Sequence, residues 1–314
     1  MQRRIAKYLF IIGIVVLFIF FTIKSETDFS FPNTPNLEAF KVMNGFPLKV
    51  NISQNRLYNV KIGIIDSGID GKQRNLKLNE VNSSQVIVGN KTHGTTVASI
   101  IGAKKSEDLD FNGMLPGITL YTFDIQSNTL NTDTLSKAID EMSQIGVKVI
   151  NISLSTYKDS PNFKKSIESA VNRGITIVAS AGNDSSKEYS YPASYEIPGV
   201  ISVGALDDNL DVWSISNFND TIDVFAPGTG IYAINDRISN NDIETFNGTS
   251  LSAPLVTTWV SLLLAINPSL TPSEVEKLIK ETSKRRLVNW KQSRVYINMA
   301  NINGSLIKAT NYVE

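Results

Sequence analysis

The chain reads as one large α/β domain with a mostly parallel central sheet and helices on both faces. Two observations predict this. Its 314 residues are 42% apolar and 19% charged, a globular balance within the reach of a single α/β domain. Beyond residue 60, short apolar runs alternate with stretches of helical spacing, the pattern of βαβ crossovers. The same composition narrows function. With 30 basic and 30 acidic side chains the formal charge is zero, and the cationic footprint of a nucleic-acid partner is missing. The absence of cysteine removes disulfides, thiolate zinc sites, iron–sulfur ligation and cysteine nucleophiles. His93 is the only histidine, so no zinc site of two or three imidazoles can form within one chain.

Taken in order, the chain opens on an export segment. Residues 8–23 are apolar except for Gly13 and Thr22, follow Arg3, Arg4 and Lys7, and close at Lys24. As a helix this run is about 24 Å long, against a bilayer core of about 30 Å. The basic residues before it place the remaining chain outside the cytoplasm. Residues 1–24 are therefore expected to be a membrane anchor or a signal segment, the anchor being preferred because no A-x-A cleavage site follows. A buried core helix is the other reading of so short a run. Residues 25–58, with Pro32, Pro35, Pro47 and several Asn and Ser, read as an arm or linker with little structure of its own. The folded domain then spans 59–314. Strands are expected at 60–65, 118–123, 147–152, 175–179, 200–203 and 222–225, and helices at 95–101, 133–142, 163–172, 253–265 and 273–282. Active sites of such sheets gather at the carboxyl ends of the strands.

Three segments fall at or beside those ends. Ile64-Ile65-Asp66-Ser67-Gly68 puts a carboxylate directly after an apolar strand, with Gly68 to turn the chain. His93-Gly94-Thr95-Thr96-Val97-Ala98 puts the imidazole at a helix entrance. Asn247-Gly248-Thr249-Ser250-Leu251-Ser252-Ala253-Pro254 puts a hydroxyl at the start of a long apolar helix. A serine nucleophile needs a base to take its proton and a carboxylate to orient that base, roles that Ser250, His93 and Asp66 can fill. Singly, each residue is ordinary: Asp after a strand is a common turn residue, and Ser at a helix start a common N-cap. The joint pattern is what singles them out.

In the chain order Asp, His, Ser, the sequence resembles the subtilisin-like serine peptidases. The family's motifs look like Asp66-Ser67-Gly68, His93-Gly94-Thr95 and Gly248-Thr249-Ser250-Leu251-Ser252-Ala253-Pro254, separated by 27 residues from Asp66 to His93 and 157 from His93 to Ser250. A fourth segment, Ala179-Ser180-Ala181-Gly182-Asn183, is similar to the strand end that carries the family's oxyanion-hole asparagine. The resemblance covers residues 58–300. It implies a three-layer subtilisin-like fold, a peptidase domain over 59–314, and an acyl-enzyme mechanism that needs no cofactor. Asn183 would then donate its amide N–H to the oxygen that gains charge, lowering the barrier by about 3–4 kcal/mol. The Ser250 N–H, at the positive end of its helix, would be the second donor. Without the resemblance, Gly182-Asn183-Asp184 is also a plain turn composition.

By the same resemblance, Ser153-Leu154-Ser155 would hold an extended peptide by backbone pairing, and Asp184 and Ser190 would lie at the rim and base of the main side-chain pocket. An acidic rim would favour Lys or Arg before the cleaved bond, by about 1 kcal/mol at 4 Å in water. A solvated surface carboxylate is the competing reading of Asp184. The sequence departs from the family at Ser155, where glycine is usual, and at Thr96 and Ser99, which replace a second histidine and a glycine. Relatives often bind calcium; the candidate loop here is Glu107-Asp108-Leu109-Asp110-Phe111-Asn112, whose oxygens suit a hard cation but whose spacing is equally that of a polar loop. Asn-x-Ser/Thr triplets at Asn82, Asn183 and Asn303 match glycosylation acceptors by composition alone.

Residues 25–58 are too few for the folded inhibitory pro-domain of many secreted relatives, so the domain is expected to fold unaided with the arm packed on it. The single apolar segment and lack of extra domains also resemble lantibiotic leader peptidases. The expected protein is an exported, monomeric serine endopeptidase, tethered to the membrane or else secreted, that acts on a peptide or protein substrate and processes a precursor or leader. Two rivals stand beside it: a catalytically silent peptide-binding scaffold of the same fold, and an esterase using the same triad. The joint presence of Asp66, His93, Asn183 and Ser250 argues against the silent scaffold.

Overall fold

The computed structural model describes residues 27–82, 93–125, 130–235 and 242–312, so the expected anchor or signal segment lies outside the described residues. The strands are β1 (Ile62–Asp66), β2 (Lys77–Glu80), β3 (Thr119–Asp124), β4 (Val149–Ile152), β5 (Thr176–Ser180), β6 (Val200–Leu206), β7 (Val224–Pro227), β8 (Ile231–Asn235), β9 (Asp242–Phe246), β10 (Lys284–Trp290) and β11 (Ser293–Met299). Nine of them form one sheet in the order β10-β11-β7-β6-β5-β4-β1-β3-β2. Every neighbouring pair in it is parallel except the hairpin β10–β11. A separate antiparallel hairpin joins β8 to β9.

The helices are α1 (Leu37–Val42), α2 (Gln54–Tyr58), α3 (His93–Gly102), α4 (Thr132–Ile145), α5 (Pro161–Asn172), α6 (Thr249–Ile266), α7 (Pro272–Thr282) and α8 (Ile302–Thr310). Strand alternation sorts them into layers. Ile62 and Ile64 of β1 join a core with Val97 and Ile100 of α3 and Val256 and Trp259 of α6. Ile65, one residue on, joins a second core with Leu135 and Ile139 of α4 and Phe163 and Ile167 of α5. This is the three-layer arrangement expected, with helices on both faces. Asp66 shares the parity of Ile62 and Ile64 and is therefore delivered to the α3 side of the sheet.

The six expected strands recur as β1 and β3 to β7, and the five expected helices as α3 to α7, each with shifted ends. The largest shift is in α6, which begins at Thr249, four residues before the expected start, and continues through Pro254 because the carbonyl that proline leaves unpaired finds another donor. Its missing N–H would have bonded the Ser250 carbonyl, which accepts the Ser153 hydroxyl instead at 3.1 Å. α6 is apolar and long enough to cross a membrane, yet it is 94% buried among the other elements as the central core helix.

Residues 27–58 correct the expectation of a linker with little structure. Phe29, Phe40, Met43, Ile52 and Leu57 are buried in the same core as α3 and α6, and Phe31 stacks edge-on against both Phe29 and Phe40. Asn36 pairs with the backbone of Tyr232 through both side-chain atoms, at 2.8 and 2.9 Å. Asn303, almost wholly buried, bonds Lys49 N and Pro47 O and so has no room for a glycan. The arm is packed on the domain as expected, but it also forms α1 and α2, which proline, Asn and Ser between widely spaced apolar residues hide from a reading by composition.

Candidate active site

Asp66 ends β1 with no solvent exposure, and its Oδ1 lies 2.6 Å from Nδ1 of His93, the first residue of α3. The Ser67 N–H donates to the same oxygen at 2.6 Å, while Oδ2 is buried with no hydrogen-bond partner among the described residues. The approach of helix to strand depends on Gly94: a Cβ there would meet Ile69 at 2.3 Å and the Asp66 Cβ at 3.1 Å. Between them the chain turns at Gly68, whose φ is 71° and whose N–H bonds Asp124 Oδ1 at 2.8 Å. The Asp66 carboxylate raises the His93 pKa above the ordinary 6.5, burial opposes this, and the hydrogen bond adds to it. The imidazole side chain remains 44% exposed.

Ser250 sits in the first turn of α6, which packs against α3. Its hydroxyl donates to the Ser153 carbonyl at 3.3 Å, and among the described residues it makes no hydrogen bond to His93. A bond of that length is weak, and catalytic contacts of this kind are often loose until substrate binds. The backbone of Ser250 is held more firmly. Thr257 donates to Asn151 Oδ1 at 3.0 Å, Asn151 Nδ2 to Ser153 Oγ at 3.0 Å, and Ser153 Oγ to the Ser250 carbonyl at 3.1 Å. All four residues are buried. Ser153 thus acts through its side chain as well as its backbone. Asn151 and Thr257 were not anticipated, although a lone Asn inside the apolar run Val149-Ile150-Asn151-Ile152 is the signal that marks one of them.

Asn183 follows the end of β5, and its Oδ1 accepts both the N–H and the hydroxyl of Thr249 at 2.9 Å each. This pins the amide and leaves Nδ2 as its outward donor. A Cβ at Gly248 would lie 3.4 Å from that Nδ2 and 3.7 Å from Ser250 N, so glycine keeps open the space that both donors border. Two nitrogen donors bordering one open space are what an oxyanion hole requires.

Leu154 and Ser155 run past the end of β4, half-buried and without a backbone hydrogen bond to another described residue. Thr156 then bridges to Tyr191, N–H to carbonyl in both directions at 3.0 and 2.8 Å. Ser190 is buried and its hydroxyl donates to the Ala181 carbonyl at 2.6 Å. Asp184 is exposed, as a rim residue would be, but its Oδ2 accepts the Tyr157 hydroxyl at 2.5 Å. Two departures from the family pattern have found structural work: Thr96 donates to the Ile234 carbonyl at 3.0 Å and Ser99 Oγ accepts the Ile234 N–H at 3.0 Å, joining α3 to β8.

The candidate calcium loop does not fit a hard cation. Asp110 pairs with Lys105 at 2.5 Å, Leu109 and Phe111 turn into the core, and the Asn112 carbonyl accepts Thr34 Oγ1 at 2.6 Å. Among the described residues no three acidic or histidine side chains group as metal ligands.

Residues 58–300 match the model of the Subtilase family. Subtilisin DY from Bacillus licheniformis is 31% identical over 259 residues, covering 78% of this chain and 92% of that protein. Subtilisin E from Bacillus subtilis is 30% identical over 239 residues, and there the match spans 72% of this chain and 60% of the relative. Among solved structures, the prenylagaramide maturation protease PagA aligns with a TM-score of 0.68 at 24% identity over 83% of this chain and 99% of its own. The protease domain of PatA aligns at 0.67 and 22% identity over 81% and 96%. At such identities the two structures speak for the fold, which is the subtilisin-like one, while the family match and the subtilisin identity speak for descent. By that family match and that identity, the chain belongs to the subtilase family and is a serine-type endopeptidase.

Proposed function

We propose that the chain cleaves peptide bonds with Ser250 as nucleophile, His93 as base and Asp66 as the group that orients and stabilises the imidazolium. The observation that carries this reading is the 2.6 Å contact between Asp66 Oδ1 and His93 Nδ1. It keeps a proton on Nδ1 and leaves Nε2 with a lone pair. Ser250 Oγ attacks the peptide carbonyl carbon as its proton passes to Nε2. The carbonyl oxygen gains negative charge between Asn183 Nδ2 and the Ser250 N–H. The C–N bond then breaks, the amine leaves with the proton from Nε2, and an acyl group remains on Ser250. Water repeats the sequence and releases the acid. No cofactor enters.

The open backbone at Leu154 and Ser155 suits an extended peptide, and Asp184 at the rim, above Ser190 at the base, suits Lys or Arg before the cleaved bond. Precursor or leader processing is the physiological role we infer, supported by likeness in fold to PagA, which is described as a maturation protease. Export is supported by the basic residues ahead of the apolar run at 8–23, which favour a tethered catalytic domain outside the cytoplasm, or a secreted one after cleavage.

A fluorophosphonate probe followed by mass spectrometry tests the mechanism. A stoichiometric adduct on Ser250 alone is expected, with none on Ser250→Ala and peptide turnover reduced by about 10⁶-fold. Absence of an adduct on folded protein would overturn the reading in favour of a silent scaffold.

A further inference from the structure

Tyr157 lies one residue beyond the Thr156–Tyr191 bridge, with 45% of its surface exposed. Its hydroxyl donates to Asp184 Oδ2 at 2.5 Å and accepts Asn217 Nδ2 at 3.2 Å. Asn217 is fully buried and its side chain makes three more bonds: Nδ2 donates to the Ala181 carbonyl at 3.0 Å, and Oδ1 accepts the N–H groups of Asp184 and Ser186, both at 3.0 Å. Gly182, with φ of 102°, permits this closeness, since a Cβ there would sit 2.5 Å from Asn217 Nδ2. The backbone of Asp184 is therefore fixed by Asn217 and its carboxylate by Tyr157, and both restraints converge on one buried amide. Asp184 Oδ1 has no partner among the described residues.

A tyrosine hydroxyl that donates to a carboxylate leaves its net charge in place and removes its freedom to rotate. Burial, followed by the contact with Asp184, raises the pKa of Tyr157, so the hydroxyl stays a donor over the neutral range. The exposed ring beside the carboxylate adds a face that attracts cations. An ammonium or guanidinium meeting Oδ1 would thus find a carboxylate already held in position, and would forgo the ordering penalty that makes exposed ion pairs weak.

We propose that Tyr157 is a specificity-determining residue, which positions Asp184 and flanks it so that the site selects Lys or Arg immediately before the cleaved bond. This inference rests on the serine-peptidase reading and deepens it.

Its test uses fluorogenic peptides that differ only at that position, with Lys, Arg, norleucine or Glu. The quantity read is the ratio of kcat/KM for Lys to that for norleucine within each variant, so any loss of active protein cancels. Tyr157→Phe is expected to lower the ratio by about threefold to tenfold. In an Asp184→Asn background the same change should leave the ratio where Asp184→Asn alone put it. A ratio that rises in Tyr157→Phe would mean that the hydroxyl masks the carboxylate, and would overturn the proposal. So would an unchanged ratio, or an equal fall in both backgrounds. Turnover of norleucine peptides that disappears in Ser250→Ala keeps the peptidase reading intact whichever way the ratio moves. No turnover of any peptide would overturn that reading and this inference with it.

Discussion

The two halves of the candidate active site are held in opposite ways. Asp66 and His93 meet through one short charged contact, backed by a single N–H on the same carboxylate oxygen, and the imidazole stands partly in solvent. Ser250 and Asn183 are placed by neutral bonds from Thr249, Ser153, Asn151 and Thr257, most of them buried. The first half changes charge during the proposed reaction and needs a strong electrostatic partner. The second half keeps its charge and needs only a fixed shape. Perturbing the first should alter pH dependence and rate together; perturbing the second should alter rate or stability and leave the pH dependence alone.

The sharpest break is Asp66→Asn, with kcat expected to fall by about 10⁴-fold. Its pH profile separates the halves. His93 must be neutral to accept the Ser250 proton, so the acid limb of kcat/KM should lie above the ordinary imidazole value of 6.5. Without the Asp66 charge the largest cause of the raised value is gone, burial still pushes the other way, and the limb should move to lower pH. Stability follows the same sign. A raised histidine pKa contributes folding stability that is fully present below 6.5 and is lost as pH rises through the raised value. Asp66→Asn should therefore lower Tm more at about pH 5.5 than at about pH 9. An unmoved acid limb would assign the titration to another group.

Asn183→Ala comes next. It removes the amide donor beside the Gly248 space and should lower kcat by about 10² to 10³-fold, with KM little changed. The acid limb should stay with the parent, since the His93 shift is set by Asp66 and burial and Asn183 bonds Thr249. Steady-state kinetics across pH check both statements. A change carried by KM alone would mean that Asn183 grips the ground state rather than the developing charge.

How much of this was legible in the sequence differs between the same two halves. The charged half was readable because its chemistry demands rare residue types: one histidine in the chain, and one Asp at the end of a wholly apolar strand. The serine was readable from its flanking motif, whereas the side-chain role of Ser153 in supporting it was not, and Asn151 left only the signal of a lone amide in an apolar run. Ser153 and Asn151 lie 97 and 99 residues from Ser250 in sequence and reach it, directly and through Ser153, only because β4 packs against α6, while Thr257 on α6 itself joins the chain of bonds through Asn151. Asn217 carries no local signal at all; its role comes from a tertiary contact with Gly182 and Asp184. Six inner strands, β1 and β3 to β7, were legible from apolar runs, whereas the two edge strands were not: β2, Lys77–Glu80, is mostly exposed, and β10 starts with Lys284, Arg285 and Arg286, since an edge strand needs no such run. Within residues 27–58 the packing on the domain was expected but the segment's own structure was missed, because its core residues are spaced by loops rather than by a helical or strand period.

The smallest effect tests the neutral half most closely. Ser153→Ala removes the hydroxyl that satisfies the Ser250 carbonyl and receives Asn151 Nδ2, leaving two buried groups unpaired. A loss of about 1–3 kcal/mol in folding stability is expected, measured by denaturant unfolding. The carbonyl needs that hydroxyl because Pro254, four residues on, has no N–H to offer it. Pro254→Ala restores such a donor, so the double variant should recover part of what Ser153→Ala loses. Full additivity of the two changes would mean that the carbonyl was never the group at stake, and that Ser153 serves Asn151 instead. Recovery would identify Pro254 as the reason that the backbone of the nucleophile depends on a side chain from the neighbouring strand.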